Sequence, residues 1–271
     1  MNDPEEQDIR TIDSDGESIY AEATGEGTPV VFCHGLGGNH AIWWRQIDTF
    51  AARHRVITWD QRGFGNSTAT ADDVSIKAAA RDLAAVLAAF DLRHACVIGQ
   101  SMGAFTALRA AIDGCDRIGS VIVSTSLAAT DPEHSRKLNN AVGTNTGRNQ
   151  HPVVSSEFSA DERDLGILYN QISSFGAKPT SAAMLGHMER EVFTDEELRS
   201  IPVPVAFVAA ENDVFCPPAL MDGARRRCRQ GTTLDVIPGS SHSAYYETPH
   251  AWNGLVLKVV DRLAADAGAS R

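Results

Sequence analysis

Short apolar runs rich in β-branched residues recur along the chain, and longer stretches with helical spacing separate them. Pro29 to Cys33, Arg55 to Trp59, Ala95 to Gly99 and Ser120 to Ser124 read as strands with no polar face. Between them lie Ala41 to Ala52, the Ala- and Leu-rich stretch Ser75 to Phe90, and Met102 to Ile112, all spaced as helices. Strands apolar on both faces and joined through helices make a parallel sheet covered on both sides, so an α/β fold is predicted. Ahead of them Asp8 to Thr24 alternates like a polar hairpin that turns at Asp15-Gly16.

The alternation then stops. From about Ala128 to Ile201 the chain shows short helical pieces and a polar loop, with no strong strand. Strand-like runs return at Val203 to Val208 and Thr232 to Ile237, and Pro249 to Ala265 forms a closing amphipathic helix. This pattern predicts one sheet domain, residues 1–127 with 203–271, interrupted by a helical cap over residues 128–202.

Composition narrows the class. A hydrophobic share of 43% over 271 residues suits one globular unit with a sizeable core. The net charge of -11 argues against nucleic acid, whose phosphates need a basic face; Arg225, Arg226, Arg227 and Arg229 read as a solvated helix face beside Asp222. No apolar run approaches the roughly 20 residues that span a bilayer, and the acidic start Met1 to Glu6 lacks a signal-peptide layout, so a cytoplasmic chain is expected. The five cysteines have no metal-ligand spacing and read as reduced thiols, Cys33 and Cys96 within strands.

The candidate chemistry begins at Gly99-Gln100-Ser101-Met102-Gly103, a G-x-S-x-G match lying between a predicted strand and a predicted helix. A serine hydroxyl becomes an effective nucleophile when a neighbouring base takes its proton. His242 is the candidate base, in the loop after the last predicted strand. An acid must fix its tautomer, and Asp213, just past the strand ending near Ala210, is preferred over its neighbour Glu211. The order Ser101, Asp213, His242 places each residue at the carboxyl end of a strand, where ligands gather in open parallel sheets. After the first buried strand comes His34-Gly35-Leu36-Gly37-Gly38; the Leu36 and Met102 N–H groups are the candidate oxyanion donors, and His34 braces the loop.

With these residues in hand the chain resembles the α/β-hydrolase superfamily, in its capped esterase and enol-lactonase-like branch. The resemblance rests on His34-Gly35, Trp43, the stretch Asp60 to Ser67, the turn at Ser101, Asp213 with Pro217, and Gly239 to Pro249. Ala104 stands where many relatives carry glycine, and Ser240-Ser241 replaces a common small-residue-Gly pair. The resemblance implies a mostly parallel eight-stranded sheet with helices on both faces, and assigns Asp60 and Arg62 to a structural loop. It also implies cleavage of a small-molecule ester or lactone, with no metal or organic cofactor required.

Two further readings stay open on the same residues: a carbon–carbon bond hydrolase of aromatic catabolism, or a ligand receptor or cofactor-free oxygenase on this fold. Leu127, Phe158, Phe175, Met184, Leu185 and Met188 are candidates for an apolar substrate pocket and equally for the cap's own core. Arg148, Arg163 and Arg190 are candidate anchors for a substrate carboxylate, or surface charges.

Overall fold

The computed structural model describes residues 7–70, 74–129, 153–175 and 178–269. An eight-stranded sheet runs in the order β1-β2-β4-β3-β5-β6-β7-β8. The strands are β1 (Asp8–Ser14), β2 (Glu17–Thr24), β3 (Thr28–Cys33), β4 (His54–Trp59), β5 (Ala95–Gln100), β6 (Ile118–Ser124), β7 (Val205–Ala210) and β8 (Thr233–Ile237). β1 and β2 form an antiparallel hairpin, and β2 joins β4 antiparallel. Every other pairing is parallel. The hairpin turn uses Asp15 and Gly16 at φ 54° and 81°, the left-handed pair that matches strand twist.

The helices are α1 (Ile47–Ala51), α2 (Ile76–Ala89), α3 (Met102–Ile112), α4 (Ser156–Asp161), α5 (Arg163–Ser174), α6 (Lys178–Arg190), α7 (Asp195–Ser200), α8 (Pro218–Arg227), α9 (Ala244–Glu247) and α10 (Pro249–Ala269). Successive side chains of a strand point to opposite faces, and the central strands supply both. In β3, Val30 and Phe32 join the cluster under α1 and α10, while Val31 and Cys33 join the one under α2, α3 and α8. In β7, Ala206 and Val208 go one way and Val205 and Phe207 the other. This two-sided burial explains why the strands read as unbroken apolar runs.

The stretch expected as one helix over 41–52 is divided: a 3-10 turn over His40–Trp43 precedes α1. Tertiary partners claim the residues between. Arg45 and Gln46 donate to the carbonyls of Tyr246 and Tyr245, and Gln46 also reaches Asn253. β7 begins at Val205 rather than Val203, since Pro202 and Pro204 have no N–H to give a ladder. Between β6 and β7 the described residues hold helices α4 to α7 and no strand.

After β3 the chain crosses to β4, then returns past β3 to build β5 on its other side. The direction of strand addition reverses there, opening a crevice at the carboxyl ends of β3 and β5. Asp60 to Ser67 packs beside this crevice. Arg62 and Asp82 form a fully buried ion pair at 2.5 Å, and Asp60 accepts from the His40 and Asn66 N–H groups, so both residues brace the loop.

Candidate active site

Ser101 sits between β5 and α3 at φ 50° and ψ -114°, a left-handed conformation that a non-glycine residue holds only when its surroundings enforce it. Close packing enforces it here. A Cβ on Gly99 would meet the Ala104 backbone, and one on Gly103 would meet the Cys33 carbonyl. The Ser101 N–H donates to Ser124 (3.0 Å), and the Ser126 hydroxyl donates to the Ser101 carbonyl (2.6 Å). Ser101 itself is half-buried.

His242 follows β8 and Asp213 follows β7; both are buried. His242 Nδ1 and Asp213 Oδ2 lie 2.8 Å apart, while Asp213 Oδ1 accepts the Phe215 and Cys216 N–H groups at 2.8 and 3.0 Å. Burial works against the Asp213 carboxylate, but the charge and hydrogen bond of His242 and the two N–H groups outweigh it. Its pKa therefore lies below the ordinary value. An ionised carboxylate only accepts, so Nδ1 carries a hydrogen, and in the neutral ring the lone pair is then on Nε2. Glu211, the neighbouring carboxylate, accepts instead from the Gly239 N–H at 2.8 Å.

Gln100 connects the two loops: its side-chain NH2 lies 3.2 Å from the Thr125 hydroxyl and 3.5 Å from the His242 carbonyl. Gly35 packs against the same turn, where a Cβ would meet the Gln100 side chain and sit 3.3 Å from the Ser101 Cβ. The loop after β3 thus approaches Ser101 through a residue with no side chain. Met102 opens α3, so its N–H is among the first-turn donors that have no acceptor within the helix. Leu36 lies next to Gly35, in a turn closed by the Gly38 N–H on the Gly35 carbonyl (3.0 Å).

His34 fixes that turn. Its Nε2 accepts the Gln61 N–H (3.0 Å), so its Nδ1 donates to the Gly35 carbonyl (2.8 Å). The Gln61 side chain returns a bond to the His34 carbonyl and accepts the Thr106 hydroxyl from α3. Burial lowers the His34 pKa, which keeps the imidazole in this neutral form.

The candidate pocket residues divide between two places. Met184 and Met188 are buried with Phe193 on the α2/α3 side, and Leu127 packs against that cluster. Phe158 packs on the other side, its ring 6.0 Å from that of Tyr246. Phe175 caps α5 with 72% of its surface exposed. Arg148 lies outside the described residues. Sequence reasoning missed Ser126 and Cys216. The Cys216 thiol, an Asp213 oxygen and a His242 nitrogen lie within 4.8 Å of one another. Burial raises that thiol well above its usual pKa, while Nδ1 and the carboxylate are already bonded to each other.

A family model described as the alpha/beta hydrolase fold matches residues 28–150. The chain is 27% identical over 248 residues to a protein assigned as the carbamate hydrolase RutD of Azorhizobium caulinodans, covering 88% of this chain and 93% of that one. Est816, described as an N-acyl homoserine lactone degrading enzyme, superposes with a TM-score of 0.76 at 25% identity over 92% of this chain and 99% of its own. The enol-lactonase from Burkholderia xenovorans LB400 superposes at 0.80 with 19% identity, over 94% and 100%. Over residues 28–150 the chain matches the α/β-hydrolase family model, and its mostly parallel eight-stranded sheet has the α/β-hydrolase fold. At that coarse level it is a hydrolase of this fold.

Proposed function

We propose that the protein is a serine hydrolase that cleaves a small-molecule ester or lactone through an acyl-enzyme on Ser101. The observation that carries this reading is the Asp213–His242 pair at 2.8 Å in the loops after β7 and β8, together with the strained turn that holds Ser101 at the end of β5. His242 Nε2 takes the Ser101 hydroxyl proton as Oγ bonds to the substrate carbonyl carbon. The Leu36 and Met102 N–H groups receive the negative charge that forms on the carbonyl oxygen. As the carbon–oxygen bond to the leaving group breaks, His242 returns the proton to the departing alkoxide. A water molecule, deprotonated by His242, then attacks the acyl carbon and releases the acid and free Ser101. For a lactone the leaving hydroxyl stays attached to the acyl group, and one hydroxy acid departs.

The inserted segment, residues 128–202, is the cap in this reading and sets substrate choice. The lactone character draws support from what Est816 is described to degrade. A panel of short p-nitrophenyl esters, lactones and vinylogous diketones tests it. Many turnovers per site on esters or lactones are expected; turnover confined to diketones, or none on any class, would contradict it.

A further inference from the structure

We propose that Glu247 is a positioning residue for His242, and that residues 153–175 act through it as a clamp between the base loop and the oxyanion loop. The inference rests on the assignment of Ser101 and His242 given above.

The Glu247 carboxylate collects bonds from two distant parts of the chain. Oε1 accepts the Ser241 hydroxyl at 2.5 Å and the Ser155 N–H at 3.3 Å, and Oε2 accepts the Ser155 hydroxyl at 2.6 Å. Ser241 directly precedes His242. Ser155, 92 residues earlier than Glu247, is the N-cap of α4 and accepts the Phe158 N–H there. The residue after His242 is tied to the same place, because the Ser243 hydroxyl donates to the Val153 carbonyl at 2.9 Å. Both chain neighbours of the base are therefore fastened to Val153–Ser155. One turn further on, the Tyr246 hydroxyl donates to the Leu165 carbonyl in α5 (2.8 Å).

The far end of α5 reaches the oxyanion loop. Asn39, buried and three residues beyond Leu36, donates its side-chain N–H to the Ile172 carbonyl at 2.8 Å. That carbonyl belongs to the last turn of α5 and also accepts the N–H of the C-cap residue Phe175 at 3.3 Å. Residues 153–175 thus bond both to the loop that carries the base and to the loop that carries the Leu36 donor. Asp213 holds one nitrogen of the imidazole, and the Asn212 N–H on the Ser240 carbonyl (2.8 Å) holds the loop ahead of it. Glu247 and Ser243 supply the restraint from the other side. A shift of about 1 Å in a catalytic group can cost about a hundredfold in rate, so this restraint should show in the chemical step more than in binding.

The test compares Glu247→Ala, Glu247→Gln, Ser155→Ala and the Ser155→Ala/Glu247→Ala double variant of the full chain. Circular dichroism and Tm check folding, and p-nitrophenyl acetate turnover and the rate of fluorophosphonate labelling are the readouts. Glu247→Ala should lower kcat and the labelling rate by about tenfold or more while KM moves less than about threefold. Glu247→Gln should recover most of the loss, since its amide oxygen still accepts from Ser241 and its NH2 faces Ser155. The double variant should lose no more than Glu247→Ala alone, because both changes cut the same link. A folded Glu247→Ala with unchanged kcat, a Gln variant as slow as the Ala variant, or multiplying losses would each overturn the proposal. Where Glu247→Ala does not fold, Ser241→Ala takes its place under the same rate and coupling criteria. Ser101→Ala run in parallel separates the two claims. If Ser101→Ala keeps full turnover, the underlying mechanism falls; if only the Glu247 results fail, the clamp alone falls.

Discussion

Asp213 Oδ2 holds the Nδ1–H of His242 at 2.8 Å across 29 residues of chain, joining the loops that follow the last two strands of the sheet. Replacing the carboxylate with an amide keeps the shape and reverses the logic. In Asp213→Asn the side-chain NH2 can face Nδ1, which moves the ring hydrogen to Nε2 and removes the acceptor that the proposed Ser101 chemistry requires. The expected loss in kcat is on the order of ten-thousandfold, with little change in KM. Glu211→Gln touches only the Gly239 bond and should keep kcat within about threefold of the parent, as a surface-loop change away from the reacting atoms would. Steady-state kinetics on both variants checks the assignment, and a comparable loss in Glu211→Gln would shift it.

Two histidines near the loop after β3 should shift stability with pH in opposite directions. Burial sets the His34 pKa below its ordinary value. Its contribution is present above the ordinary histidine range and is lost as pH falls through the folded value. For His40 burial pulls down, but the bond to Asp60 (2.8 Å) and the charges of Asp60 and Glu22 prevail and raise its pKa. Its contribution is present below the ordinary range and is lost as pH rises through the folded value. Tm measured from mildly acidic to mildly alkaline pH should therefore separate them. The deficit of His34→Gln should shrink toward acid, and that of His40→Gln should shrink toward alkali.

Gly103→Ala tests the packing that forces the turn at Ser101. The added methyl would run into the Cys33 carbonyl, which belongs to a central strand paired on both sides and has little room to move. A loss of about 1–3 kcal/mol or more is expected from overpacking of this kind, read by urea denaturation, together with loss of turnover. Gly223→Ala, on the exposed side of α8 where nothing lies within 4 Å of a new Cβ, is the matched control and should cost no stability.

Much of this was legible in the chain, for a physical reason. A strand buried on both faces favours apolar residues throughout; β7 is apolar at every position, and β3, β5 and β6 depart from this only at Thr28, Gln100, Ser120 and Ser124. Ser75 announces α2 as its N-cap, with the hydroxyl accepting the Ala78 N–H at 3.1 Å. Ser101, Asp213 and His242 stood out because each falls where a predicted strand ends. The packing of the helices between β6 and β7 was not legible. Phe158 and Met184 have similar apolar character, yet they pack in different clusters, and no local period encodes which face of the sheet a distant helix will cover. The Glu247 bonds to Ser155 span 92 residues and leave no mark in either segment's spacing. The division of the helix expected over 41–52 has the same origin, since the partners of Arg45 and Gln46 lie near the other end of the chain.

The central claim is that Ser101 forms a covalent bond to the acyl group during turnover. Incubating the folded protein with a fluorophosphonate probe and mapping the labelled peptide, alongside p-nitrophenyl acetate turnover, addresses it most directly. Labelling at Ser101 is predicted, with Ser101→Ala unlabelled and slower by about a thousandfold or more. Ser101→Ala that hydrolyses the ester at the parent's rate, or a probe adduct mapped to another residue of an active sample, would contradict the account.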